Sequence, residues 1–535
     1  MRNDFSRRNL LRTAAGATAL LAGRPLRAAE PAPAVIGSDA MRVQVPYGVQ
    51  IGDLVGDRAV VWSKADRAAR MQVRWATTES MTEAVTQPGV NALEDTDFTA
   101  KIDLDGLPTG QRIFFVVDFL DLSDLKGRSQ PVRGSFVTAP RERRDVRFVW
   151  SADTVGQGWG INPELGGMRI YETMRGVEPD FFIHSGDTIY ADGPVYDEAR
   201  TADGKTWLGP DGKPWRNITI PEKQKVAETL HEYRMSYAYN LLDENLRTFN
   251  AAVPMYAQWD DHEVTNNWYW ELRKDADKRY QEGSVALLAA RAMRAFHDYL
   301  PTRRHPLEQE RLYTSFAYGP SLEVFRIDLR SYRGPNNEGM ATELSPEARI
   351  LGERQLPWLM QALKDSRATW KVIACDMPIG LIVWDDFKNR KGVEAVAQGD
   401  MGAPKGRELE FAELFRFIRD QGIKNLVWLT ADVHYTAAHR YDPNRAQFQE
   451  FAPFWEFVSG PLNAGTFGPN ELDATFGPEA VFVKAPEPGQ VNLPPSAGMQ
   501  FFGQVDIDGA TEVMTVRLKD MAGVTLFMQE LTPEA

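Results

Sequence analysis

The sequence has 535 residues, of which 43% are hydrophobic and 25% are charged. That composition is ordinary for a globular protein and excludes a low-complexity or disordered chain, and the length predicts more than one domain. The formal net charge of −13 repels polyanions, so a nucleic acid duplex is not an expected partner. The lone cysteine, Cys375, excludes an intrachain disulfide.

Residues 1–34 have the features of a Tat-type signal peptide. A Ser-Arg-Arg-Asn-Leu-Leu pattern at 6–11 precedes an apolar stretch at 14–22, and small residues follow at 28–34. The alternative is a basic N-terminal tail on a cytoplasmic protein. The order of the features favours a signal, and therefore a periplasmic or secreted protein that meets the Tat translocase during export. Later segments contain no run of about 18 apolar residues, so the mature chain is expected to lack a transmembrane segment.

Residues 41–140 alternate between apolar and polar side chains. Val43, Val45, Val49 and Ile51 share one parity, and several similar runs follow with turn residues between them. Short strands at this spacing predict an antiparallel β-sandwich without an obvious chemical site. A polar, proline-containing linker follows at 138–144.

From residue 145 onward, short apolar strands alternate with helical stretches, which predicts an α/β domain through residue 535. Helical periodicity is clearest at 284–300, 352–365 and 407–420. Several predicted strands end in acidic residues or histidine, namely before Asp153, Asp187, Asp260-Asp261-His262, Asp328, Asp376 and Asp432. Groups just beyond the carboxyl ends of strands are where α/β sheets place their sites.

These strand-end residues suit the hydrolysis of phosphate esters. Two cations a few ångströms apart neutralise a phosphate and generate hydroxide, and they need a bridging carboxylate with further oxygen and nitrogen ligands. Asp187 is placed to bridge two metals, while Tyr190, three residues later, is placed to bind one of them. A phenolate ligand favours a strongly Lewis-acidic ion such as Fe³⁺.

The segment 259–267 (Trp-Asp-Asp-His-Glu-Val-Thr-Asn-Asn) carries the strongest signal, because three acidic residues and a histidine crowd into four positions. Such charges repel one another unless cations are present, although a solvated acidic turn is the alternative. Asp432 and His434 alternate along the chain and so point to one side, as metal ligands or as a structural hydrogen bond. Asp153 is either a further ligand or a turn residue.

Together the segments 186–190, 259–267, 328–333, 351–359, 370–372 and 432–434 resemble the alkaline phosphatase D (PhoD-like) family of metallophosphatases. The resemblance implies a four-layer α/β metallophosphatase sandwich at 145–535, behind an N-terminal antiparallel β-sandwich domain at 41–140. It also implies two or more metal ions, Fe³⁺ with Ca²⁺. Other divalent metals stay open, because Asp153 stands where many members have a cysteine and a carboxylate is the harder ligand.

The resemblance also implies roles for single residues. Asp187 is the bridging ligand and Tyr190 the iron ligand, and the remaining metal ligands are Asp153, Asp261, Asn267, Asp432 and His434. Asp261 and Asn267 serve the second metal or the phosphate. His262 lies near the leaving group as transition-state stabiliser or general acid, with Asp261 as the other catalytic residue. Arg330 or Arg333, together with Asn266, would contact the phosphate, although Arg330 also suits structural support of Asp328.

The function that follows is an exported, metal-dependent phosphoesterase acting on phosphate monoesters, diesters or both. A phosphodiesterase or phospholipase D-type enzyme acting on phospholipid-type diesters is the first alternative. A non-catalytic, exported phosphate-binding protein is the second, and His262 argues against it because binding alone needs no imidazole at the leaving group. A polysaccharide-degrading enzyme that uses paired carboxylates is the third alternative. It is disfavoured because Asp432 and His434 suit a metal site better than they suit glycoside hydrolysis.

Overall fold

The structure is a computed structural model that describes residues 41–534, so the predicted signal peptide at 1–34 lies outside the described residues. Its first strands are β1 (Val49–Val55), β2 (Arg58–Lys64), β3 (Ala69–Ala76), β4 (Val85–Thr86), β5 (Val90–Ala92), β6 (Thr99–Leu104), β7 (Arg112–Asp121) and β8 (Val132–Val137). Those after residue 145 are β9 (Val146–Ser151), β10 (Phe181–His184), β11 (Met255–Ala257), β12 (Thr314–Tyr318), β13 (Leu322–Arg326), β14 (Trp370–Ala374), β15 (Trp384–Asp386), β16 (Lys391–Val393), β17 (Leu426–Thr430), β18 (Thr436–Tyr441), β19 (Phe454–Val458), β20 (Pro478–Lys484), β21 (Phe501–Ile507), β22 (Met514–Asp520) and β23 (Thr525–Leu531).

Between these strands lie the helices α1 (Arg169–Gly176), α2 (Leu230–Asn240), α3 (Glu244–Asn250), α4 (Val285–Tyr299), α5 (Gly352–Asp365) and α6 (Glu408–Asp420). The three predicted helical stretches correspond to α4, α5 and α6. Side-chain caps fix several starts: Thr229 and Glu232 form a reciprocal capping box at α2, and Ser284 caps α4. Across residues 41–534, no helix combines the length and the apolarity that a membrane crossing requires.

Two large sheets form the centre of the molecule. One has nine strands in the order β23-β22-β21-β9-β10-β11-β1-β2-β6, and the other has seven in the order β12-β13-β14-β17-β19-β18-β20. The inner strands β9, β10 and β11 run parallel, as do β13, β14, β17 and β19. Parallel strands end at a common edge, so each sheet delivers the residues after its inner strands to one place.

Strand parity explains the layers. Trp150 packs into the core between the two sheets, whereas its neighbour Val149 faces the helices α1 to α4. In the second sheet, Val427 faces the shared core and Trp428 faces α5 and α6. Successive residues point to opposite faces, so strands buried on both sides read as continuous apolar runs. The expected four layers, helices on two sheets on helices, are confirmed.

The strands before residue 140 form the expected antiparallel sandwich, and one of its sheets continues into the rest of the protein. Strands β3, β4, β5, β7 and β8 make a separate five-stranded sheet. Strands β1, β2 and β6 instead extend the nine-stranded sheet, because β1 pairs in parallel with β11 where Gly52 lies opposite Met255. Val61 and Phe115, from the two facing sheets, share one core with Trp150. The division into domains at 41–140 and 145–535 stays a prediction.

Gly503 on β21 is a close-packing point that offers a test of this architecture. It pairs with Trp150 on β9, and a Cβ atom added at Gly503 would lie 2.0 Å from the indole ring. We expect Gly503→Ala to lower the free energy of unfolding by about 2 kcal/mol or more, because the ring must move within a packed core. Urea denaturation measures the change.

Gly176 provides the matched control, since a Cβ atom there meets nothing within 4 Å. Gly176→Ala at the end of α1 should leave stability unchanged or raise it slightly. Equal stabilities for the two variants would contradict the packing of Trp150 across β21.

Candidate metal centre

The turns after four parallel strands bring the predicted ligands together. Asp153 follows β9, Asp187 follows β10, Asp261 follows β11, and Asp432 follows β17. Asp153, Asp187 and Asp432 have positive φ angles of 67°, 50° and 64°, an uncommon conformation for residues with a side chain. Such strained backbone concentrates at functional sites, where the surrounding structure enforces it.

Asp153, Tyr190 and His434 form the first part of the cluster, with Asp187 beside them. The Tyr190 hydroxyl lies 2.9 Å from His434 Nε2 and 3.4 Å from Asp153 Oδ1. Nδ1 of His434 donates to the Gly465 carbonyl, which leaves Nε2 free to bind a metal. Burial lowers the pKa of His434 to about 4, so the imidazole is neutral, as a ligand must be.

Two further groups overlap with the first. Ligand atoms of Asp153, Asp187 and His434 lie within 4.8 Å of one another, as do those of Asp187, Asp261 and His262, and those of Asp260, Asp261 and Asp432. Asp187 belongs to two of these groups, and so does Asp261. Such shared carboxylates are the arrangement that two or more neighbouring cations require.

The electrostatics of the cluster also fit bound cations. Burial raises the pKa of Asp153 and of Asp187 well above the usual carboxyl range, and neighbouring carboxylates raise both further. Buried oxygens of Asp153 (Oδ2) and Asp261 (Oδ1) accept no hydrogen bond from the described residues. Unpartnered buried carboxylate oxygens are costly unless a cation binds them, so the donor set matches metal ions.

Glu263 holds two of the ligand-bearing turns together. Its carboxylate accepts hydrogen bonds from the backbone amides of Asp187 (3.1 Å), Thr188 (2.6 Å) and Asp260 (2.8 Å). The turns after β10 and β11 are therefore fixed to each other through one side chain. The sequence marks Glu263 only as part of an acidic run, and nothing in the pattern separates this structural carboxylate from the ligands beside it.

His262 is oriented by a residue that the sequence pattern did not single out. Its Nδ1 lies 2.7 Å from Asp192 Oδ1, its Nε2 lies 3.8 Å from Asp261, and its ring stacks on Tyr190. Burial lowers the pKa of His262, but the charges of Asp192 and Asp261 outweigh burial and raise it to about 9. The backbone amide of Asn266 also donates to Asp192. The only available signal was the position of Asp192 five residues after Asp187.

The two predicted phosphate-binding arginines lie behind the carboxylates. Arg330 is fully buried, and its guanidinium binds Asp260 (Nε to Oδ1, 2.6 Å) and Glu394. Arg333 binds the same Glu394 carboxylate at 2.8 Å. Only the backbone amide of Arg330 contacts Asp328, so its side chain balances the acidic cluster instead of supporting that residue.

A cavity of about 1190 Å³ opens over the cluster. Asn266 and Asn267 line it, as do Asp187, Tyr190, Asp261, His262, Asp432 and His434. Neither Arg330 nor Arg333 does. Lys274 and Arg279 contribute positive charge to the lining, and an apolar part comes from Val383, Trp384, Phe387, Phe467, Pro469 and Val491. The segment between β10 and α2 contributes Asp192 and Gly193 to the lining, while its Trp207 and Trp215 pack on Trp159.

Metal binding should stabilise the folded protein, and Asp187→Asn tests whether this stabilisation depends on Asp187. We expect Fe³⁺, Mn²⁺ or Ca²⁺ to raise the melting temperature of chelator-treated wild-type protein, since a ligand that binds only the folded state stabilises it by about 2.7 kcal/mol at a hundredfold excess over Kd. Asp187→Asn should abolish that gain yet leave the metal-free protein as stable or more stable, because it replaces a carboxyl group whose charged form is disfavoured by burial and by neighbouring carboxylates.

Calorimetry with elemental analysis measures both effects, and Glu413→Gln on the exposed face of α6 is the control that should behave as wild type. A lower stability of metal-free Asp187→Asn, or a retained metal response, would contradict the proposed ligand role.

The chain matches a family model described as PhoD-like phosphatase over residues 148–518, and a second described as PhoD-like phosphatase, N-terminal domain, over residues 30–140. Alkaline phosphatase D of Bacillus subtilis (strain 168) is 29% identical over 280 residues, which is 51% of this chain and 44% of that protein. The match therefore spans less than half of this curated relative.

Solved structures share the fold. One described as the structure of PhoD has a TM-score of 0.65 at 19% identity, over 92% of this chain and 93% of the other. Purple acid phosphatase PPD1 from yellow lupin (Lupinus luteus) seeds has a TM-score of 0.54 at 12% identity, over 91% and 74%. Because the first family model covers more than half of the sequence, the chain belongs to the PhoD-like phosphatase family.

Proposed function

We propose that this protein is an exported, metal-dependent phosphoesterase that hydrolyses phosphate esters with water as the nucleophile. One observation carries the proposal: Asp187 and Asp261 are each shared between overlapping ligand groups, directly beside a histidine held by Asp192. Family membership supports the same reaction. Export through the Tat pathway to the periplasm or the exterior rests on the signal pattern at residues 1–34.

The metal ligands divide into two sets in this proposal. Asp153, Asp187, Tyr190 and His434 would hold Fe³⁺, because two carboxylates and a phenolate are hard donors. Asp187, Asp261, Asn267 and Asp432 would hold Ca²⁺ or another divalent ion, since all of them offer oxygen. Bound cations supply charge neutralisation at the phosphate and a lower pKa for water.

His262 supplies the proton for the departing alcohol. Asp192 accepts the hydrogen of Nδ1, so Nε2 is the atom that faces the cavity near Asp261. The pKa of about 9 keeps the imidazole protonated at neutral pH, and an imidazolium can donate to the oxygen of the leaving group as the bond to phosphorus breaks. Arg330 and Arg333 act at a distance, by holding Asp260 and Glu394 in place.

The proposed substrates include both monoesters and diesters, as small phosphate esters or as phospholipid-type diesters. The apolar part of the cavity lining, with Phe387 81% exposed, offers contact for the second alcohol of a diester. A phosphodiesterase or phospholipase D-type activity is therefore the second candidate. Inorganic phosphate, far smaller than a cavity of about 1190 Å³, leaves that lining unused, which disfavours a phosphate-binding protein.

Hydrolysis of 4-nitrophenyl phosphate and bis(4-nitrophenyl) phosphate by the metal-loaded protein tests the proposal. We expect turnover of at least one ester, its loss with a chelator, and its recovery when metal returns. The ratio of the two kcat/KM values identifies the preferred ester class. Metal-loaded protein that binds phosphate and hydrolyses neither ester would overturn the proposal in favour of the binding protein.

The roles of His262 and Asp192 can be distinguished by the pH dependence of kcat/KM in variants of each residue. His262→Gln should lower kcat by about 10²- to 10⁴-fold with metal content unchanged, the usual size of general acid catalysis. Asp192→Asn removes a charge that raises the pKa of His262, so the proton is lost at lower pH and the alkaline fall of kcat/KM moves to lower pH.

The exposed His231 gives the control, and His231→Gln should leave both the rate and the pH profile unchanged. An Asp192→Asn profile that coincides with wild type would show that Asp192 does not act through His262.

A further inference from the structure

Lys274 is a cation in the active-site cavity that forms no direct ion pair, although carboxylates lie near enough to interact with its charge. Three basic side chains line the cavity: Lys274, Arg279 and Arg390. Arg390 pairs with Glu471 at 2.9 Å, and Arg279 pairs with Asp277 at 2.8 Å. The Lys274 ammonium forms no ion pair or hydrogen bond with any residue in 41–534. A half-buried ammonium in that state is open to an anion from outside the protein.

The backbone holds Lys274 in place. Its amide donates to the Gly283 carbonyl at 2.9 Å, and its own carbonyl accepts from the Asp277 amide, also at 2.9 Å. The Lys274 ammonium lies 5.8 Å from the centre of the Tyr280 ring, whose hydroxyl is hydrogen-bonded to Thr265. The main chain at Lys274 is therefore fixed and its ammonium lies over an aromatic ring, which reduces the conformational freedom that the side chain loses when a ligand binds.

This cation is on the leaving-group side of the site. Arg279 Nη1 lies 3.4 Å from the carbonyl oxygen of Asp192, the residue that holds His262. The Lys274 charge is near enough to Asp192 and Asp261 to interact with both carboxylates. Asp192 and Asp261 lie at the two ring nitrogens of His262, so a cation that interacts with both carboxylates lies beside the histidine that is proposed to face the departing alcohol.

We propose that Lys274, with Arg279 beside it, binds a second anionic group on the leaving group, so that the preferred substrates are phosphate esters of alcohols carrying a carboxylate or a second phosphate. The inference rests on the phosphoesterase function proposed above. Water adds to phosphorus, the bond from phosphorus to the ester oxygen breaks, and that oxygen keeps the electron pair and takes the His262 proton. The second anionic group is unchanged by the reaction.

The other charged groups in the cavity lining affect where an anionic leaving group can bind. Of the other carboxylates in the lining, Asp192, Glu394 and Glu471 are paired with His262, Arg330 and Arg390, whereas Asp385 forms no ion pair with residues 41–534 and repels an anionic leaving group. An anion that reaches Lys274 gains a charge-assisted hydrogen bond, which is roughly twice as strong as a neutral one. A neutral alcohol of the same size gains nothing there.

Matched substrate pairs on the metal-loaded, full-length protein test the inference. The rigid pair is 4-carboxyphenyl phosphate and the uncharged 4-carbamoylphenyl phosphate. The flexible pairs are alkanediol bisphosphates with two to six carbons and the corresponding hydroxyalkyl monophosphates. We expect wild-type protein to favour the doubly anionic member of at least one pair by about tenfold in kcat/KM, the size of one charge-assisted hydrogen bond. The rigid pair reports a carboxylate preference and the flexible pairs a phosphate preference.

Two variants assign the preference to Lys274. Lys274→Met should reduce the ratio within the preferred pair to about one, and Lys274→Arg should retain most of it. Lys278→Met, at an exposed lysine outside the cavity lining, should keep the wild-type ratio. The wild-type ratio should also fall with added salt, because the subsite is only half buried.

Turnover of both members of every pair without a preference would overturn the inference and leave the proposed function intact. A preference that Lys274→Met retains would also overturn it. Absence of turnover on every ester would refute the phosphoesterase function and this inference with it.

Discussion

Repulsion among buried carboxylates is the constraint on which this structure depends. Two sheets point the carboxyl ends of their parallel strands at one place, and those ends carry acidic side chains after β9, β10, β11, β14 and β17. The buried guanidinium of Arg330, which lies between Asp260 and Glu394, neutralises part of this negative charge. The rest is left for cations, because one oxygen of Asp153 and one of Asp261 accept no hydrogen bond from residues 41–534.

Rigidity of the turns follows from the same constraint. Ligands that repel one another keep their positions only if the backbone leaves them no alternative. Glu263 ties the turn of Asp187 to that of Asp260, and Asp153, Asp187 and Asp432 adopt the left-handed conformation within those turns. The backbone therefore holds the ligand-bearing turns in place, and preorganisation of this kind favours both binding and catalysis.

Much of the fold could be predicted from the sequence because its signals are local. Apolar runs ending in aspartate indicated both the parallel strands and the candidate ligands that follow them. Contacts between distant segments leave no comparable pattern in the sequence. The Asp192–His262 pair joins residues 70 apart, and Arg330 reaches Asp260 across the same separation. The position of Arg330 or Arg333 just after a predicted strand gives no indication of whether the side chain faces the substrate or the protein interior.

The nine-stranded sheet has a consequence for the timing of synthesis. Strand β9, which leads to Asp153, is bordered on one side by β10 and on the other by β21, whose first residue is 350 positions after Ser151. Strand β1 similarly can pair with β11 only after the chain has been synthesised past residue 257. A ribosome must therefore synthesise almost the whole chain before Asp153 has both of its neighbours, so we expect the metal-binding pocket to close late in folding.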